Sequence, residues 1–341
     1  MPPENDVRRE MTPPCPAPTQ ILMLDALETD ATAIDLVKNG AVSIGNFDGV
    51  HAGHRELLAR TRANADAVGG PAVVVVLDPH PASVLRPHSA PARLTTIRRR
   101  AELMSELGID ALVVCPVTLD FLNRTAEEFF DFLIVKRLQA KTMVEGPNFF
   151  FGRDRGGDVH VLRTLCEQTG MQLEVVHPRI EGGRLVSSSR IREAISAGEI
   201  ESANAMLQSK YQIAGRVTSG ERRGRLIGFP TANLTDIETL VPENGVYAAK
   251  VAVGKRSPAS IGTDSSELLL AAVHVGPNPT FDAEQRTKVE VHCLDYDGDL
   301  YGQCLTVEWN ARVRPVQKFS GADALTAQLR RDVESVRKLL H

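Results

Sequence analysis

Cysteine is scarce in this 341-residue chain: five residues, Cys15, Cys115, Cys166, Cys293 and Cys304, an odd number with no C-x-x-C spacing. That pattern excludes a disulfide framework and a structural zinc site, and predicts reduced thiols that mostly fill core space. Aromatic residues make up 5% of the chain, with a single tryptophan, too few and too scattered for the stacking platforms on which single-stranded nucleic acid is held. Long apolar runs are also missing. A stretch such as Ala72 to Leu77 falls far short of the ~20 residues that span a bilayer. The net charge of −4 gives no general attraction to nucleic acid or anionic lipid, so neither is expected as a partner and any anionic ligand must be held by local features. The P-loop pattern G-x-x-x-x-G-K-[ST] is absent from the sequence. Residues 1–20 hold six of the 20 prolines and lack an apolar h-region; they read as a disordered tail rather than a secretory signal, which points to the cytoplasm.

With 43% hydrophobic and 24% charged residues, the chain is globular, and its length predicts two domains. From Ile21 to about Gln208, short apolar runs alternate with amphipathic stretches, the signature of βα units around a parallel sheet. Strands are predicted at Ala41 to Ile44, Ala72 to Leu77, Ala111 to Val114, Thr142 to Val144 and Leu173 to Val176, and helices at His54 to Ala65, Arg98 to Leu107, Ala126 to Arg137, His160 to Thr169, Ser188 to Ala197 and Ile200 to Leu207. After Tyr211 the texture changes to alternating, β-branched runs punctuated by Gly, Pro, Asn and Asp, which predicts an antiparallel barrel over residues 209–341. A last amphipathic helix, Ala322 to Leu340, carries Leu325, Leu329, Val333 and Val336 at a spacing of three and four and should pack on the barrel. The expected fold is thus α/β plus β: a Rossmann-like domain over 21–208, then the barrel with its C-terminal helix.

Two constellations carry chemistry. Residues 41–58, AVSIGNFDGVHAGHRELL, run strand, glycine-containing turn, H-x-G-H, helix. Backbone N–H groups and the positive helix end then converge on one spot, which suits an anion. His51 and His54 would share a face and could donate to phosphate oxygens; two histidines at this spacing also occur incidentally. The string SSSRIR at 187–192 opens another helix with hydroxyls and arginines, a second anion cradle in which Arg192 is the residue aimed at a phosphate chain. An ordinary capped helix would look the same in isolation.

In the barrel half, GRVTSGERRGRLIGFPTANL at 215–234 offers flexible glycines at 220, 224 and 228, with a Thr231 hydroxyl and an Asn233 amide oxygen as hard ligands for Mg²⁺. Arg222, Arg223 and Arg225 fit a solvated hairpin tip. In KVEVHCLDYDGDLYG at 288–302, alternation puts Val289, Val291 and Cys293 on one face and Glu290, His292 and Leu294 on the other. Glu290 is a candidate general base for a hydroxyl nucleophile, or a surface carboxylate paired with Lys288.

GNFDGVHAGH, LDPHP at 77–81, RLT at 93–95, NFFFG at 148–152 and SSSRIR closely resemble the adenylyltransferase half of the bacterial bifunctional riboflavin kinase/FAD synthetase family. GFPTANL, GVYA at 245–248, VGPNPTF at 275–281, VEVHCLD and DLYG resemble its kinase module. Leu77, Pro147, Phe150 and Ser189 depart from the usual residues. The resemblance implies phosphorylation of riboflavin by ATP to FMN in the barrel, and adenylylation of FMN to FAD with loss of pyrophosphate in the N-terminal half. It implies His51 and His54 as catalytic residues on the phosphates, with an ATP site of Gly45, Asn46, Phe47, Asp48, Ser188, Ser189 and Arg192. It implies ATP contacts from Gly220, Gly228 and Thr231 in the barrel, Mg²⁺ on Thr231 and Asn233, and Glu290 as the base. Asn148, Arg314 and Phe319 would lie near flavin. Two other readings stay open at this level: one half alone is active, or the chain is a flavin- or nucleic-acid-binding module without turnover.

Overall fold

The computed structural model describes residues 17–177, 180–181, 184–218, 228–254, 268–277 and 287–341. Gly220 and Gly224, the arginines at 222, 223 and 225, residues 255–266 and residues 278–281 of VGPNPTF lie outside the described residues.

The N-terminal half is built on a six-stranded parallel sheet of β1 (Gln20–Met23), β2 (Ala41–Ile44), β3 (Ala72–Asp78), β4 (Ala111–Pro116), β5 (Thr142–Glu145) and β6 (Gln172–Val175), in the order β1-β4-β3-β2-β5-β6. The central strands read as unbroken β-branched runs because helices cover both faces; Ala72 to Val76 are fully buried. The edge strand β1 escapes the sequence pattern. Thr19, at the end of the stretch read as tail, is buried and donates its hydroxyl to Ile109 O at 2.7 Å, and Gln20 opens the sheet strand β1.

The main helices are α1 (Ala52–Val68), α2 (Ile97–Ser105), α3 (Ala126–Phe129), α4 (Val159–Thr169), α5 (Ser188–Ser196) and α6 (Ile200–Leu207). Their ends follow local chemistry. Gly69 at φ 64° and Gly170 at φ 70° close α1 and α4 in the left-handed region, and a Thr125–Glu128 capping box opens α3. The helix predicted over 126–137 changes character: after Phe129 it runs as a π-helix, Phe130–Arg137, with Leu138 N bonding Leu133 O. A two-stranded ribbon, β7 (Ile180–Glu181) and β8 (Arg184–Leu185), precedes α5.

The C-terminal half is a closed antiparallel barrel, β10-β13-β12-β11-β14-β9, of β9 (Tyr211–Thr218), β10 (Ala232–Thr235), β11 (Gly245–Gly254), β12 (Leu269–Pro277), β13 (Thr287–Cys293) and β14 (Cys304–Arg314). Burial alternates residue by residue along β9 and β13, as period-two patterning requires. Its interior is filled by Trp309, Tyr247, Tyr211, Val273, Val291, Val307 and their neighbours. The C-terminal helix α7 (Ala322–Leu340) packs outside: Val336 lies in a small cluster with Ala248 and Leu294. Leu294 keeps the face that alternation assigns to it: it packs with Ala248 and Val336 outside the barrel, opposite the interior face of Val289, Val291 and Cys293.

The halves share one hydrophobic cluster, in which Ile195, Ile200, Ala203 and Leu207 of α5 and α6 meet Tyr211, Tyr247 and Trp309 of the barrel. Polar groups lock the same seam. Asn204 donates to Trp309 O at 2.9 Å and accepts from Tyr211 N at 2.7 Å; Arg312 donates to Ala197 O at 3.2 Å and Asn244 O at 2.8 Å; Leu240 N bonds Arg93 O at 2.8 Å.

Candidate active sites

From β2 the chain steps to β3 and β4 on one side and then to β5 and β6 on the other, so the sheet's topological switch point lies between β2 and β5. Open α/β sheets bind ligands in the crevice at that point. The Gly45–His54 turn and the start of α1 stand there. The turn is tightly wound: Phe47 and Val50 hold positive φ of 47° and 42°, and Gly49 one of 90°, a conformation such bulky residues adopt only where surroundings enforce it.

Asp48 supplies much of that enforcement. Its buried carboxylate accepts from Leu94 N at 3.1 and 3.0 Å, Thr95 N at 2.9 Å, Thr95 Oγ1 at 3.0 Å, Arg100 Nη2 at 3.0 Å and Arg192 Nη2 at 2.6 Å. Burial pushes its pKa up, but Arg100, the Leu94 N–H, Arg192 and the Thr95 N–H together outweigh burial and hold it below the usual carboxylate value. With its oxygens so occupied, the Asp48 carboxylate ties the turn to the RLT segment. Phe47, 2% exposed, is likewise a packing residue, one of whose neighbours is the ring of His54.

His51 caps α1, its Nδ1 accepting from His54 N at 3.3 Å, which leaves the proton on Nε2. The two imidazoles stack at 3.6 Å. A Cβ on Gly53 would meet the His51 ring at 3.3 Å, so glycine permits the close approach. Burial lowers His51 to about 4, and burial, then His51 and Arg100, lowers His54 well below its ordinary value. Both rings are neutral without an anion.

Ser188 donates to Asp48 O at 2.8 Å, and Arg192 donates through Nε to Ala92 O at 2.6 Å and through Nη2 to Asp48. The two cradles read separately in the sequence are thereby one site. Among the described residues, Nη1 of Arg192 has no partner. Ser189 is exposed on the first turn of α5, and Asn148 is exposed in the turn after β5. Phe150, 45% exposed, carries the Arg155 guanidinium 4.3 Å above its ring.

Arg100 and His80 went unassigned in the sequence. Arg100 is buried, donates to Asn46 O at 3.0 Å and pairs with Asp48; it is the third arginine of an unremarkable helical run, visible only once α2 is placed. His80 lies in the field of Arg192 and Asp48, and burial lowers its pKa; its signal was the LDPHP string.

In the barrel, register places Asn233 of β10 opposite Glu290 of β13, and Glu290 opposite His274 of β12, in one cross-strand row. Glu290 pairs with Lys288 at 2.9 Å and with His274 Nδ1 at 3.4 Å. The hydrogen bond from His274 is the largest cause that lowers Glu290 to about 2; Lys288 adds to it against burial. The expected pairing of Glu290 with Lys288 is present, and Glu290 stands in the polar row. Asn233 is 8% exposed and its Oδ1 has no partner. An orphaned buried oxygen beside the exposed Thr231 hydroxyl fits a hard cation. Gly228, at φ 85°, and Phe229, edge-on to His292 at 5.5 Å, lead into Thr231.

Arg314 is fully engaged. Its Nε and Nη2 clamp Asp332 of α7 at 2.9 and 2.7 Å, and Nη1 donates to Pro315 O at 3.0 Å. It anchors the helix, and the half-buried Phe319 ring lies 5.8 Å beneath it.

Residues 34–190 match the family model for FAD synthetase and residues 207–340 that for riboflavin kinase. The bifunctional riboflavin kinase/FMN adenylyltransferase of Pseudomonas fluorescens is 34% identical over 297 residues, 87% of this chain and 92% of that protein. This chain belongs to the bifunctional riboflavin kinase/FMN adenylyltransferase family. The protein of the same description from Escherichia coli K12 is 34% identical over 87% of this chain and 91% of its own length. A crystal structure from Streptococcus pneumoniae, described as a macrolide-efflux protein, superposes with a TM-score of 0.80 at 29% identity, covering 93% of this chain and 98% of that one. Among the described residues no helix is long and apolar enough to cross a membrane. As a bifunctional riboflavin kinase/FMN adenylyltransferase, the chain makes FMN from riboflavin and ATP, and FAD from FMN and ATP.

Proposed function

We propose that adenylyl transfer takes place where the Gly45–His54 turn faces the start of α5, within a domain of residues 21–208, and that riboflavin phosphorylation takes place on the Asn233–Glu290–His274 row of a domain of residues 209–341. The observation that carries the first half is the stacked pair of neutral imidazoles at the N-terminus of α1, beside Arg192 and Arg100, in the switch-point crevice. A triphosphate entering there meets the helix dipole, the Nε2–H of His51 and the free Nη1 of Arg192. Its negative charge favours protonation of both histidines, so their donor strength rises as the anion arrives. The FMN phosphate is already ionised and attacks the α-phosphorus of ATP, while pyrophosphate leaves with its charge held by Ser188, Ser189 and Arg192. Alignment and charge stabilisation therefore carry this step, and no base is required. Gly45 and Asn46 border the phosphates, and Asn148 contacts flavin at the rim.

Riboflavin presents a primary alcohol. Glu290 accepts a hydrogen bond from that 5′-hydroxyl and takes its proton late, as the γ-phosphoryl group transfers; a carboxylate held near 2 orients the nucleophile more than it deprotonates it beforehand. Thr231 and Asn233 would hold Mg²⁺, which would supply charge compensation for the phosphates of ATP. Gly228 flanks the nucleotide, and Phe319 contacts flavin. The products serve the cytoplasm, and no nucleic-acid or membrane partner is needed.

The test is to supply FMN and ATP, or riboflavin and ATP, to His54→Ala and to the parent, and to separate the flavins by chromatography. His54→Ala is expected to form FMN at the parent rate and to lose FAD formation. Normal FAD formation by His54→Ala would remove the site from the turn.

A further inference from the structure

The parallel strands β2 and β5 pair at Ala41–Thr142 and Val42–Met143 and then part. Each keeps its other neighbour beyond that point. Ile44 remains in register with Val75 of β3, and Gly45 N bonds Val75 O at 3.0 Å; Glu145 remains in register with Val175 of β6, and Val176 N bonds Glu145 O at 2.8 Å. The opening is thus local to the β2–β5 seam, which is the switch point. What fills the gap is a side chain. Glu145, 2% exposed, accepts from Ile44 N through Oε1 at 2.7 Å, in the place where a continued parallel ladder would offer a backbone carbonyl.

A carboxyl group in such a position is costly when charged. Burial, opposed only by the Ile44 N–H, raises its pKa well above the ordinary value, which favours the neutral acid. The residue it holds is the last of β2, and the next two begin the Gly45–His54 turn. That turn also contains two buried atoms without partners, Asn46 Oδ1 and His54 Nδ1, groups whose placement depends on how β2 ends.

We propose that Glu145 is a positioning residue for adenylyl transfer: its side chain takes the Ile44 N–H, holds β2 and β5 apart, and so fixes the crevice on which the Gly45–His54 turn is mounted. This rests on the reading that the turn is the adenylylation site. The requirement is for an acceptor at the reach of a glutamate. Glutamine meets it, aspartate is one methylene short, and leucine offers no acceptor.

The experiment uses the full chain carrying Glu145→Gln, Glu145→Asp or Glu145→Leu, with kcat and KM for FMN adenylylation measured beside riboflavin phosphorylation by the same sample. Glu145→Gln is expected within about 2-fold of the parent, whereas Glu145→Leu and Glu145→Asp lose on the order of 10- to 100-fold in adenylylation kcat, the scale of a misplacement near 1 Å. The kinase rate stays unchanged and reports folding. If Glu145→Leu does not fold, the Gln and Asp variants decide between them. Normal adenylylation by Glu145→Asp or Glu145→Leu, or a Glu145→Gln variant as impaired as Glu145→Leu, overturns the proposal. His54→Ala assayed in parallel separates the two ideas: full activity there refutes the siting, whereas failure confined to the Glu145 series refutes only its role.

Discussion

Removing the Asp48 carboxylate should unfasten the adenylylation site before anything else. Its oxygens satisfy Arg100, Arg192, the N–H groups of Leu94 and Thr95, and the Thr95 hydroxyl, and its side chain is 5% exposed. In Asp48→Ala the buried Arg100 loses its charge partner and two buried N–H groups lose their acceptor. Breaking one side of a buried pair costs about 3–5 kcal/mol, a large part of the 5–15 kcal/mol typical of a whole domain. For a domain of this size that corresponds to a melting temperature lower by roughly 6–20 °C. Differential scanning calorimetry with FMN adenylylation measured in parallel tests it; Asp48→Asn, which keeps an acceptor oxygen but no charge, is expected to fall between the parent and Asp48→Ala. The pH dependence has a definite sign. Because the folded-state pKa lies below 3.8, the carboxylate's contribution is fully present above that value and is lost as pH falls through the lower folded value. Asp48→Asn should therefore remove part of the parent's loss of stability below about pH 4. An Asp48→Ala protein within about 1 kcal/mol of the parent would refute the assignment of Asp48 as the hub.

In the barrel, Glu290→Gln should abolish FMN formation and spare conversion of FMN to FAD, as read by flavin chromatography. Lys288→Met removes one of the groups holding Glu290 near 2, so the acid limb of riboflavin phosphorylation should move to higher pH. Asn233→Ala should raise the Mg²⁺ concentration for half-maximal kinase activity by about 10-fold, the scale of one lost hard ligand, with adenylylation unchanged. Arg314→Ala leaves Asp332, 3% exposed at its side chain, unpaired; a loss of about 3–5 kcal/mol and faster amide exchange along α7 are expected.

The sequence carried the elements whose periodicity is a consequence of burial. The unbroken valines of β3, the alternation of β9 and β13 and the spacing of α7 each report which side faces the core. It did not carry β1, whose Ile21 and Met23 are 45% and 48% exposed and so show no buried face. Motif strings pointed to two candidate sites but could not show which side chains pair within the protein. Asp48 and Arg314 look like ligand-facing residues in one dimension; only their partners, Arg100 and Arg192 in one case and Asp332 in the other, show that their charges are spent inside the protein. Glu145 is the converse. It closes an apolar strand and looks like an ordinary surface end, and its burial follows only from β6 lying on one side and β2 on the other.

The filled barrel has a further consequence for traffic between the two reactions. With Trp309, Tyr247 and Tyr211 packed across its interior, the barrel offers FMN no inner conduit toward the crevice between β2 and β5. Each FMN molecule has to travel over the outside of the protein, exposed to solvent. An FMN molecule on that outer route is open to other FMN-binding proteins before the second step takes it up.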